Sequence, residues 1–170
     1  MFEMLSNMEY SIRLANDNEV RQTLLEANFY NFKYSRFFLS LLEEHISKIN
    51  INSCKTVTIE HIMPQTLTDE WKIDLGINYT EIHTRFIHNI GNLTLVAFNS
   101  ELSNDSFRDK KKIYEENNSL QIAKKMIVEN NKWGENEICK RRDWMIDMLI
   151  NELFPIPCEM KKANNFSQKS

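Results

Sequence analysis

At 170 residues, 42% hydrophobic and 26% charged, the chain can build one domain with its own core plus a helical extension, and is too apolar for a disordered polymer. A net charge of −3 and a pI of about 5.8 argue against a free-standing nucleic-acid-binding module, which usually carries a basic excess. Three glycines and three prolines argue against a turn-rich all-β fold.

No apolar run approaches the roughly 18 residues that span a bilayer, and no basic-then-apolar leader opens the chain. The expectation is a cytoplasmic protein with no membrane partner. Cys54, Cys139 and Cys158 form no CxxC pair. That excludes a structural zinc knuckle and a disulfide framework, and predicts reduced thiols.

In chain order, residues 1–28 have mixed polarity without Pro or Gly and are expected to be helical. From Tyr30 the period sharpens. Tyr30, Tyr34, Phe37, Phe38, Leu41, Leu42 and Ile46 recur at three- and four-residue spacings, which predicts one apolar helix face. Arg36 and His45 on that helix carry no expected role. A polar connector over 48–53 precedes a first strand over 55–60, where Thr56, Val57, Thr58 and Ile59 suit a pleated surface.

Residues 66–87 read as a long loop with some helix, in which Trp71 packs, Gly76 marks a turn and 79–87 is a short helix. Asn89-Ile90-Gly91-Asn92 is a turn, and 93–98 the second strand. Ser103-Asn104-Asp105-Ser106 is rich in capping side chains before a helix over 107–116 that carries Lys110, Lys111 and Lys112. A helix over 120–128 buries Leu120, Ala123 and Ile127. The last, over 136–153, turns Ile138, Met145, Met148, Leu149 and Leu153 inward and stops at Pro155 and Pro157.

Two stretches carry the chemistry: IEHIMPQ at 59–65 and HNIGNLTLVAFNSELSN at 88–104. Phosphodiester hydrolysis needs a water made nucleophilic and a leaving oxygen whose developing charge is neutralised. His61, a side chain that titrates near neutrality, can take the proton. Glu60 and Asn99 offer hard oxygens to one divalent cation, Mg²⁺ or Mn²⁺, which keeps several waters and so needs few protein ligands. Glu60, adjacent to His61, points to the other strand face unless Pro64 twists the chain there. Asn92, directly after Gly91, is placed to bond and close the long loop. His88 can contact phosphate or lock the loop, and Lys110 and Lys111 are candidate phosphate contacts. Singly, each has a bland reading: a surface histidine, turn and cap asparagines, a solvated lysine face. The argument rests on their order.

That order resembles an HNH-type ββα-metal nuclease site. IEHIMPQ, HNIGNLTL and FNSELSNDSFRDKK, with Trp133 and the 138–141 step before Phe154-Pro155, resemble the C-terminal HNH nuclease domain of GmrSD-type restriction endonucleases over roughly 34–157. The resemblance implies an α+β fold, a mostly helical domain wrapped around a small two-stranded ββα-metal core at about 55–116. It implies modification-dependent or defence-related DNA cleavage, and a ParB-like nucleotide-hydrolysing domain on the same or a partner chain.

It assigns His61 as general base, Glu60 as acidic ligand, Asn92 as the motif's middle asparagine and Asn99 as second ligand. Asn104, Phe107 and Lys110 match the pattern that follows. Two departures stand out. Glu60 is one methylene longer than the Asp of many HNH enzymes, and the short step from Asn92 to Asn99 leaves Asn104 as a rival ligand. No GxxxxGK[ST] motif occurs in this sequence. Residues 1–33 then read as a helical extension ending a linker from an upstream domain, 158–170 as a disordered tail, and the whole as a piece of a larger protein. The competing readings are a ββα scaffold that binds DNA or a partner without cutting, and a purely helical interaction protein.

Overall fold

The structure, a computed structural model, describes residues 15–49, 57–97, 104–117 and 120–155. It is α+β and mostly helical, with a small two-stranded antiparallel sheet. In order come α1 (Asp17–Glu26), α2 (Ser35–Ser47), β1 (Thr58–His61), α3 (Asp69–Leu75), α4 (Tyr79–Phe86), a 3₁₀ turn (Ile90–Asn92), β2 (Leu93–Val96), α5 (Phe107–Asn117), α6 (Gln121–Lys124), α7 (Glu135–Asp147) and a π-helical segment (Met148–Leu153). The purely helical alternative fails, because β1 pairs with β2: Thr58 opposes Val96, Ile59 Leu95, Glu60 Thr94, and His61 Leu93. No helix among the described residues is long and apolar enough to cross a membrane.

Local chemistry accounts for several of the helix starts. Asn16 Oδ1 accepts from the Glu19 N–H while the Glu19 carboxylate accepts from the Asn16 N–H, a capping box that starts α1. Thr68 caps α3 and Ser106 caps the first turn of α5. The expected helix over 120–128 shrinks to α6 because Met126 adopts a left-handed φ of 64°. At its start the buried Glu43 carboxylate of α2 accepts the Gln121 and Ile122 N–H groups, doing from afar what a local cap would do.

Of the helix expected over 1–28, residues 1–14 lie outside the described residues and Asp17–Glu26 form α1. One expectation is corrected at the front of the chain: the helix expected from Tyr30 begins at Ser35. The Phe29 and Tyr30 N–H groups both donate to His88 O, and residues 30–34 run as turns before α2. Tyr34 and Phe37, expected on the inward face, are exposed. The expected loop over 66–87 is largely helical, with Trp71 fully buried and donating to Asp105 O. Residues 55, 56 and 98 of the expected strands lie outside the described residues.

The core joins β1 and β2 to α2, α6 and α7 through Leu39, Leu42, Leu93, Leu95, Ile122, Ile138 and Met145, all fully buried. α7 crosses the 3₁₀ turn so closely that a Cβ on Gly91 would lie 2.2 Å from Ile138 O. Only glycine fits there. Arg141, fully buried on α7, donates to Gly91 O, Leu93 O and Ile122 O, tying the turn, β2 and α6 together. α1 packs on α7 and the π-helical segment, with an Arg21–Asp147 ion pair.

Candidate active site

The chain leaves β1 at His61 and runs through Ile62, Met63 and Pro64, all buried. This exit is fixed by Asn92, which is 0% exposed. Its Oδ1 accepts from Met63 N at 2.8 Å and Trp133 Nε1 at 3.1 Å, and its Nδ2 donates to Met63 O at 2.9 Å and Ile87 O at 3.0 Å. Ile62 N donates to Asn92 O as well. One side-chain amide thus uses both acceptor sites and both donors to join the end of β1, the end of α4 and the segment before α7.

His61 is 4% exposed. Its Nε2 shares a 3.1 Å hydrogen bond with His88 Nδ1, and its Nδ1 lies 3.3 Å from the amide nitrogen of the exposed Gln65. His83 Nε2 donates to Pro64 O at 3.0 Å. The Tyr30 ring lies against both His61 and His88. Burial, then the neighbouring His88, Lys110 and His83, pull the His61 pKa from 6.5 to about 4; burial and His83 lower that of His88. The pocket therefore holds neutral imidazole.

A stability consequence follows. A histidine with a lowered folded pKa binds fewer protons folded than unfolded, so stability is full above about pH 6.5 and falls as the pH drops towards 4. The loss amounts to at most about 3 kcal/mol from His61. Urea unfolding in EDTA between pH 7 and 4.5 should show this slope, and His61→Gln should flatten most of it. Equal slopes in the two proteins would refute the assignment to His61.

Glu60 turns the other way, beneath α5. Lys110, fully buried, donates to Glu60 Oε1 at 2.8 Å and to His61 O at 2.7 Å. Burial lowers the Lys110 pKa, opposed by Glu60. Lys110 is thus turned inward onto the strand end, while Lys111 donates to Asn130 O. Thr94 opposes Glu60 in the register and carries a buried hydroxyl with no hydrogen-bond partner among the described residues.

The structure brings Glu60, His61, His88, Asn92 and Lys110 together. Asn99 lies outside the described residues, and Asn104 is exposed in the turn before α5. Among the described residues no group of three or more His, Cys, Asp or Glu is placed to hold a metal. Glu60 Oε2 has no hydrogen bond among the described residues and, with Thr94 Oγ1, leaves uncommitted hard oxygens on one side of the ladder. That donor type suits an oxygen-seeking cation needing few protein ligands. Sequence reasoning gave no role to Tyr30, His83 or Gln65. The five-residue step between His83 and His88 carries no signal that the second meets the end of β1 at His61 and the first the chain leaving it at Pro64.

The model of one protein family, described as GmrSD restriction endonucleases, C-terminal domain, matches residues 14–148. No curated protein matches the chain.

Proposed function

Because the chain belongs to the family of GmrSD restriction endonuclease C-terminal domains, we propose that it is an HNH-type, metal-dependent DNA endonuclease domain in which His61 is the general base. The observation that carries this reading is the buried, neutral His61 at the end of β1, beside Glu60, on a chain exit locked by Asn92.

In this reading Nδ1 is the working nitrogen. Its contact to Gln65 is the longer of the two and solvent-facing, so a water can take the amide's place. Nε2 stays committed to His88. His61 removes a proton from that water as it attacks phosphorus. Because the imidazole is neutral well below pH 6.5, it is in the base form at working pH. Glu60, with Asn99 or Asn104, would hold one Mg²⁺ or Mn²⁺, which when bound neutralises charge on the leaving 3′-oxygen. Asn92 keeps Met63 and the strand end in register with His61, and Lys110 fixes Glu60 and the His61 carbonyl. The products are 5′-phosphate and 3′-hydroxyl ends.

The partners proposed are DNA and a ParB-like nucleotide-hydrolysing domain on the same or another chain, in a cytoplasmic restriction or defence system. Residues 34–157 would be the nuclease unit. The net charge of −3 fits a domain delivered to DNA by another rather than one that finds it alone.

One observation favours a second reading. The Lys110 ammonium already neutralises Glu60, as in a ββα scaffold that binds DNA or a partner without cutting. Supercoiled plasmid with Mg²⁺, Mn²⁺ or EDTA separates the two, using wild type beside Glu60→Gln, with Mn²⁺ binding followed by calorimetry. The expected result is metal-dependent nicking, with Glu60→Gln losing both nicking and at least about tenfold in Mn²⁺ affinity. Folded wild type that neither binds Mn²⁺ nor nicks, yet still binds DNA or a partner, would favour the scaffold.

A further inference from the structure

Tyr30 lies in the connector between α1 and α2, outside every motif that marks the site, yet its ring touches both imidazoles. Its centroid is 4.5 Å from that of His61, and 5.3 Å from that of His88, on which it stacks at an interplanar angle of 12°. The two imidazoles are themselves 5.3 Å apart at 63°. Three rings therefore form one contact set around a single His61–His88 hydrogen bond.

His61 is held by that bond and by a 3.3 Å contact to the amide of the exposed Gln65, and His88 by that bond; neither set is strong enough alone to fix a ring. The terminal torsion of histidine is broad and roughly two-fold, and a flip of His61 would put carbon atoms where its nitrogens now meet Gln65 and His88. A ring wedged against both imidazoles removes this freedom. The wedge is itself anchored. Phe29 and Tyr30 donate their N–H groups to His88 O at 2.9 and 3.3 Å, and Asn89 Nδ2 donates to Leu25 O at 3.1 Å. Phe29 is fully buried, with ring contacts to Phe32 and Phe38. The Tyr30 hydroxyl has no hydrogen bond among the described residues, so the ring is what the pocket uses.

We propose that Tyr30 is a positioning residue for the His61–His88 pair, its clamped ring fixing the face and direction in which His61 presents Nδ1. The proposal rests on the reading of His61 as base, but it can be tested without nuclease activity.

The full chain is compared with Tyr30→Phe and Tyr30→Leu, each shown to be folded by its thermal transition. The readouts are the ¹⁵N signals of the two imidazoles and the kcat and KM for plasmid nicking. Wild type and Tyr30→Phe should show one tautomer at His61, with nitrogen signals well separated. Tyr30→Leu should show averaged signals and a kcat lower by about 10- to 100-fold, the scale of a small misplacement of a reacting group, with KM unchanged. Imidazole signals of Tyr30→Leu identical to wild type would overturn the proposal, as would Tyr30→Phe losing as much as Tyr30→Leu. If wild type neither binds Mn²⁺ nor nicks, the nuclease reading fails while the imidazole spectra still decide the positioning.

Discussion

His61→Ala is expected to abolish metal-dependent plasmid nicking while leaving the protein folded. Removing a general base typically costs about 10²- to 10⁴-fold, and among the described residues no other group stands ready to replace it. His88 is the nearest imidazole, but its Nδ1 faces His61 and its ring is stacked beneath Tyr30. Deleting His61 also leaves His88 Nδ1 without its partner, so His61→Gln is the better control for packing and should be equally inactive. Stability gives a second readout. Both variants lose an imidazole that resists protonation, so they should lose less stability than wild type between pH 6.5 and 4.5. Nicking by His61→Ala at the wild-type rate, from protein of equal purity, would end the assignment of His61 as base.

Asn92→Ala should produce the largest loss of stability among the site residues. It orphans Met63 N–H, Met63 C=O, Ile87 C=O and the Trp133 indole N–H, all partners of one fully buried amide. An unsatisfied buried group costs about 1–3 kcal/mol. Because relaxation and water entry recover part of the sum, a loss of about 3–5 kcal/mol is expected. Asn92→Asp should fare no better. It keeps the shape and the acceptors, but it loses both Nδ2 donors and points a carboxylate at two carbonyl oxygens. Denaturant unfolding followed by tryptophan fluorescence measures both variants, with Trp133 reporting directly on the contact. A loss below about 1 kcal/mol would mean that the amide does not lock the loop. A variant that keeps wild-type stability but loses nicking would instead move Asn92 from a structural to a chemical role.

The two substitutions divide the candidate site into the imidazole proposed to react and the frame that holds it. Asn92, Gly91 and Arg141 form that frame. Gly91 allows α7 to approach the 3₁₀ turn, Arg141 returns three hydrogen bonds across that approach, and Asn92 passes the constraint to the strand end that carries His61. Among the described residues the buried Arg141 guanidinium donates to backbone carbonyls. Such an arrangement persists where its geometry is held on several sides.

The sequence by itself determined the parts whose causes are local. The β-branched run before Glu60, the Gly91-Asn92 turn and the alternation after it were enough to place two strands with a turn before the second. The capping residues at 103–106 placed the start of α5, and the position of Asn92 after a glycine announced a loop-closing amide. The motif order, IEHIMPQ then HNIGNLTL, was enough to indicate the family.

Tertiary structure decided what depends on partners distant in the chain. Tyr30 reads as the first residue of an amphipathic helix, but it lies in the connector before α2, its N–H bonded to His88 O and its ring against two imidazoles, contacts that no periodicity encodes. Lys110 reads in the sequence as a candidate phosphate contact or as one of three solvated lysines on a helix face. The register of β1 under α5 instead makes it the counter-ion of Glu60 and a donor to the His61 carbonyl. Met126 ends α6 early, and a carboxylate from α2 caps it. Local spacing fixes which way a side chain leaves the backbone. Which buried group it then meets is fixed only when the whole core closes.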